Sequence, residues 1–347
     1  MNKKIKLEDV AELAGVSKAT VSRVINRRGY LSQKTIEKVE AAMAELNYHP
    51  NVIAQQLHTQ RTNVIGIIVP TVATPFFGEL TAELEQRLFK RGYKVLVSGA
   101  LNNPGKERQY LQQLLGRQVD GLIIATHNAD LPEYQHANLP IVAVDRFLRA
   151  DIPVVASDNY AGAVAACAAL IDRGARHIIH TDDLSPLNAQ DTARQRAYEA
   201  VMQAHGWPAY TYPSLPDPVQ NRASLQRIFT EHPEVDAIFA SNDLDAATLL
   251  DLALENGYAV PTQLQIIGYD GTQTTQRLLP QLATVVQPLS EMAAQAVELL
   301  EAKLQQQATP TEVVLPVQVK FGRTLRPLAT KKALPKQKCR TSREMLQ

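Results

Sequence analysis

The sequence predicts an all-α head followed by an α/β core of two doubly wound parallel-sheet subdomains. Three observations predict it. Apolar residues recur at helical spacing between positions 6 and 46, short β-branched runs alternate with longer amphipathic segments from Val64 onward, and that alternation comes in two batches. A chain of 347 residues that is 45% hydrophobic has material for more than one core.

The head begins with KLEDVAELAGVSKATVSRVINR, residues 6–27: two short amphipathic segments separated by Ala14-Gly15-Val16-Ser17. Gly15 suits a tight inter-helix turn, and Ser17 can cap the second segment. There Val21 and Val24 point inward, which leaves Lys18, Ala19, Ser22 and Arg23 on the outer face. A short helix with small and basic side chains outward, entered from a glycine turn, suits the major groove of DNA. The alternative is an ordinary helical hairpin. A third helix is expected over Gln33–Leu46, capped by Ser32, with Ile36, Val39, Met43 and Leu46 on one face. It would close a helix-turn-helix domain, residues 1–49, over Val10, Leu13 and Val21. Asn47-Tyr48-His49-Pro50 breaks the pattern. Residues 51–58 could form about two helical turns, too few to stand alone in water. Residues 50–61 are therefore expected to be a hinge that folds only when supported.

In the core, VIGIIVP (64–70), YKVLVSG (93–99), VDGLIIA (119–125) and LPIVAVD (139–145) read as strands. Helices are expected near Phe77–Gly92 and Gly105–Arg117. ARHIIHT (175–181), VDAIFAS (235–241) and LQIIGYD (264–270) form a second series, with helices near Ala161–Arg173, Arg194–His205, Arg222–His232 and Leu244–Asn256. Such alternation means parallel sheets covered on both faces, and ligands sit at the carboxyl ends of their strands. Two facing subdomains place a cleft between those ends. The core is set at 62–324, with one subdomain at about 62–158 and 289–321 and the other at about 159–288. Residues 325–347 lack periodicity and read as a disordered basic tail without leucine heptads.

The net charge of +1 predicts no nucleic-acid partner by itself, but its distribution does. Lys and Arg outnumber Asp and Glu by ten to six in residues 1–61 and by seven to one in 325–347, around an acidic body. Cys167 and Cys339 lie far apart, one in an apolar segment and one in the polar tail, so no disulfide framework is expected and a reducing cytoplasm fits. The N-terminus MNKKIKLEDV has no apolar leader, and no run is long enough to span a membrane. There is no glycine-rich phosphate loop and no CxxC or HxxxH spacing, and the eight histidines are scattered. The sequence therefore points to no enzyme, no catalytic residues, no cofactor and no metal.

LEDVAELAGVSKATVSRVIN, KTIEKVEAAMAELNYHPN and AQQL together resemble the lactose-repressor (LacI/GalR) family of bacterial transcription regulators. IGIIVP, PFFGEL, VDGLII, ASND, IIGYDGT and LATVVQP extend the resemblance over about residues 5–324. It implies a homodimer, each subunit with a helix-turn-helix head, a hinge and a periplasmic-binding-protein-like core, in which a small molecule in the cleft controls binding to a near-palindromic operator. Carried onto this chain, Lys18, Ala19 and Thr20 begin the base-contacting helix. Arg23 can bind guanine through two hydrogen bonds, Ala19 offers apolar contact, and Thr20 and Ser22 anchor phosphate. Asn26 and Tyr30 resemble backbone-holding positions. In the hinge, Asn51, Ala54 and Leu57 are DNA-binding candidates, with Leu57 matching a residue wedged into the minor groove and Ala54 small enough for two hinges to meet.

For the cleft, Arg194 and Asp270 resemble paired ligand anchors, suited to vicinal hydroxyls. Phe76 and Phe77 follow the first core strand, and Phe76 is either a platform for an apolar ring face or core packing. Asp145 and Arg146 end the fourth strand and face the same cleft. Asp243 binds ligand or caps the helix at Leu244, and Gln287 lies in a crossover. These residues favour a neutral sugar, with sucrose or a related fructoside as the specific expectation. The alternatives are a global carbon-catabolite regulator with a protein co-repressor and a transport-type sugar-binding protein.

Overall fold

The computed structural model describes residues 5–26, 29–49, 61–100, 103–126, 131–135, 139–182 and 193–328. The hinge candidates Asn51, Ala54 and Leu57 and nearly all of the tail lie outside the described residues.

The head is three helices, α1 (Leu7–Ala14), α2 (Lys18–Ile25) and α3 (Gln33–Glu45). Gly15 turns the chain at φ 64°, a left-handed conformation that glycine adopts without a side-chain clash. Ser17 and Ser32 cap α2 and α3 by accepting from the amides of Thr20 and Thr35 at 3.1 and 3.3 Å. Val10, Val21 and Val39 are fully buried at the centre. Leu13, expected beside them, is 45% exposed: the buried stripe of α1 runs through Val10, Ala11 and Ala14, and Leu13 falls off its edge.

The first core lobe contains β1 (Val64–Val69), α4 (Pro75–Lys90), β2 (Lys94–Gly99), α5 (Pro104–Leu115), β3 (Gly121–Ile124), β4 (Ile141–Val144) and β5 (Val154–Ser157). The second contains α6 (Asn159–Ile171), β6 (Ile178–Asp182), α7 (Ala193–His205), β7 (Thr211–Pro213), α8 (Pro218–Glu231), β8 (Ala237–Phe239), α9 (Asp243–Glu255), β9 (Gln265–Asp270), α10 (Gln273–Leu278) and β10 (Ala283–Val286). The chain then returns to the first lobe with α11 (Leu289–Leu304) and β11 (Glu312–Leu315), and crosses again to add β12 (Gln318–Lys320) to the second. The sheet orders are β11-β5-β4-β3-β1-β2 and β12-β10-β9-β8-β6-β7, parallel except for the antiparallel β10–β12 pair. Each sheet carries apolar packing on both faces, which explains its nearly unbroken β-branched strands.

Two expected boundaries move. Residues 318–320 belong to the second sheet, because β12 pairs with the edge of β10. Order also extends past 324. Leu325 is buried in the second lobe, and the Arg326 guanidinium donates to the carbonyls of Pro261, Thr262, Asp236 and Gln263. A single apolar residue and one arginine anchored by distant carbonyls leave no periodic trace in the sequence. The short strands β5, β7, β10, β11 and β12 fall outside the expected runs as well.

Candidate functional site

The head presents its candidates on one rim. Lys18, Ala19 and Arg23 are exposed along α2, and Tyr30 is 99% exposed beyond it. Thr20 and Ser22 are half-buried, and the Thr20 hydroxyl lies 2.9 Å from that of Ser17, within the cap. Asn26 turns back on its helix, its amide donating to the Ser22 carbonyl at 2.8 Å. Lys18 is not a free helix-end cation. Its ammonium bonds the carboxylate of Glu8 on α1, and that bond is the chief cause holding the Glu8 carboxyl below its ordinary range.

In the core, a charged cluster forms where the carboxyl ends of strands from both lobes meet. Arg194, in the first turn of α7, is its centre. Its Nε donates to Asn159 Oδ1 at 2.8 Å and one terminal nitrogen donates to the Ser241 carbonyl at 2.7 Å, while the other lies 3.9 Å from Asp145. The guanidinium stacks 3.8 Å above the centre of the Tyr269 ring. Asp145 follows β4 at φ 54° and accepts from the Asn159 amide at 2.8 Å. Asp270 ends β9 at φ 106°, and its carboxylate accepts from Gln287 at 2.9 Å. Gln287 in turn accepts from the Ser157 hydroxyl of the first lobe at 2.6 Å. Burial pushes the Asp270 carboxyl well above the usual carboxylate range, against the pull of Arg194. The same cause raises Asp243.

Arg194, Asp145 and Asp270 are thus brought together, and Gln287 joins them by linking Asp270 to Ser157. Arg146 lies next to Asp145, half-buried. Two expectations are corrected. Asp243 neither reaches the cleft nor caps α9. It is 1% exposed, and its carboxylate accepts from the Gly271 amide, Thr275 and Thr284 at 2.9, 2.8 and 2.6 Å. The cap is Asn242, which accepts from the Asp245 amide. Asp243 therefore fastens the turn after Asp270, where a Cβ on Gly271 would stand 2.7 Å from the Val286 backbone. Phe76 is core, not a platform: Phe76, Leu80, Leu84 and Leu88 form the buried stripe of α4 at four-residue spacing. Phe77 meets it edge-on at 5.0 Å and is half-buried.

Asn159, Ser241, Tyr269 and Glu8 were not expected as site residues. Ser241 ends the run VDAIFAS, as Asp145 ends LPIVAVD, so strand-end position was a usable signal there; Asn159 opens α6 after β5 and carried none. Nothing in the sequence marks Glu8. An open cavity of about 540 Å³ lies elsewhere, between the start of α4 and α10, lined by residues that include Thr74, Glu79, Glu83, Thr274 and Arg277. There the Glu79 carboxylate accepts from the Gln273 amide at 2.9 Å, a further link between lobes. Among the described residues no helix is long and apolar enough to cross a membrane.

Comparison with known proteins agrees with this architecture. Residues 6–51 match the model for bacterial regulatory proteins of the lacI family. Residues 62–320 match that for periplasmic binding proteins and the sugar-binding domain of the LacI family. The chain is 38% identical to the sucrose operon repressor of Streptococcus mutans serotype c over 92% of its own length and 99% of that protein's. It is 41% identical to the sucrose operon repressor of Pediococcus pentosaceus, over 87% and 93%. Among solved structures, the Lac repressor dimer bound to operator and the anti-inducer ONPF superposes with a TM-score of 0.80 at 27% identity, covering 94% of this chain and all of that one. With both family models matched over head and core and relatives aligned over nearly the whole chain, this protein belongs to the LacI family of bacterial regulatory proteins.

Proposed function

We propose that this protein represses a carbohydrate-utilisation operon by binding a near-palindromic operator as a homodimer, and that a neutral sugar of the sucrose type modulates that binding. The observation that carries this is the cluster at Arg194. Its charged and amide groups come from both lobes and pair donors with acceptors, as a polyhydroxyl ligand requires. Asp270 and Asp145 accept from sugar hydroxyls, and Arg194 orients them. The likeness to two sucrose operon repressors favours that sugar.

The mechanism follows from where the cluster sits. One lobe orientation holds the two hinges together so that both heads reach successive half-sites. A sugar that binds another closure better shifts the population away from it. Operator affinity then changes by the coupling energy, about 1–3 kcal/mol in allosteric systems generally. The test is titration of the full chain onto operator duplex with and without a panel of neutral sugars. Sucrose or a fructoside is expected to change the affinity roughly five- to 150-fold. Symmetric duplex bound no better than random duplex would reject the repressor assignment, and operator affinity unmoved by every sugar would reject the effector assignment.

A further inference from the structure

The pairing of Glu8 with Lys18 adds a specificity element to the head, one that rests on the operator-binding function proposed above. Lys18 opens α2, the helix whose first residues meet base edges in this motif, and Glu8 stands across from it in the first turn of α1. The Lys18 and Glu8 side chains are 60% and 57% exposed, so both ionic groups face outward while bonded to each other. A lone lysine at this rim would find a phosphate or a guanine equally well. A carboxylate bonded to it changes that choice, because a phosphate accepting from Lys18 would lie against Glu8 and be repelled.

In the major groove one base pair offers the complement of such a pair. Guanine presents two acceptors, O6 and N7, and its partner cytosine presents the N4 amino donor beside them. We propose that Glu8 and Lys18 act as one unit that reads a G·C pair, Lys18 Nζ donating to guanine and the Glu8 carboxylate accepting from cytosine N4. Because the unit is neutral overall, it contributes base preference rather than general attraction to DNA.

The experiment is selection from a randomised symmetric duplex library with the full chain, run with the wild type, Glu8→Ala, Lys18→Ala and the double variant. Operator titrations over a range of salt follow for each protein. The pair is exposed, so both variants keep the head folded, and far-UV circular dichroism checks this. Either single change is expected to cost roughly five- to 100-fold of preference at one shared G·C position per half-site, with the double variant no worse. The salt slope is expected to stay the same for the double variant, which removes the neutral unit whole. Undiminished preference at every position in Glu8→Ala would overturn the proposal. So would a double-variant slope shallower by about one, which marks a phosphate contact. Failure of the wild type to enrich any motif would instead remove the operator function itself.

Discussion

The outward side chains of the head come from one short stretch and stand on local helices, each fixed by its own turn and cap. The cluster around Arg194 is assembled from segments far apart in the chain, with the Ser157–Gln287 bond alone joining positions 130 residues apart. The head keeps its charges in water. The core bonds its charges to one another in partial burial, where an unmatched one is costly. Apart from the Glu8–Lys18 pair, the outward residues of the head can therefore be altered one at a time, whereas the core cluster responds as a unit.

Five changes break or sharpen that contrast. Leu57→Ala removes the proposed wedge and is expected to abolish tight operator binding while sugar binding persists, as gel-shift and calorimetric titrations would show. Arg194→Ala leaves the Asn159 and Ser241 oxygens without their donor and Asp145 without its cation. It should destabilise the core by about 3–5 kcal/mol in chemical denaturation and erase the sugar response. Val21→Ala, at a fully buried head position, should cost about 2 kcal/mol of head stability and weaken operator binding with sugar affinity unchanged.

Asp270→Asn should weaken sugar binding yet raise the melting temperature at pH 7. The raised carboxyl holds its proton more tightly in the folded chain than in the unfolded one. Stability therefore falls as pH rises from about 4 toward the folded value, and stays lowered above it. Asparagine removes this penalty, so the gain at pH 7 should vanish below about pH 4, as melting across that range would show. The smallest effect is expected from deleting residues 329–347. Its basic residues add phosphate contacts, so the salt slope of DNA binding in operator titrations should become shallower.

The same contrast explains what the sequence made legible. Gly15, Ser17 and Ser32 announce the head because turns and caps are local chemistry. Strands β1 to β4 and the α6–α9 helices announce themselves by their runs and periods, whereas β5 and β11 do not. Arg194, Asp145 and Asp270 were found through family resemblance and strand-end position. The role of Asp243 was not legible, because its partners Gly271, Thr275 and Thr284 are 28 to 41 residues away. Phe76 was ambiguous because a helix-start aromatic looks the same in sequence whether it faces a cleft or a sheet.

The third crossing of the chain has a mechanical consequence. The Asp158 amide donates to the Leu315 carbonyl at 2.8 Å, and Ser157 bonds Gln287, so all three connectors run side by side. Three adjacent tethers act like a hinge pin with a retaining strap: the lobes can swing about them, but sliding past one another would stretch at least one. Whatever occupies the cleft thus acts on lobes that are tied together along one side.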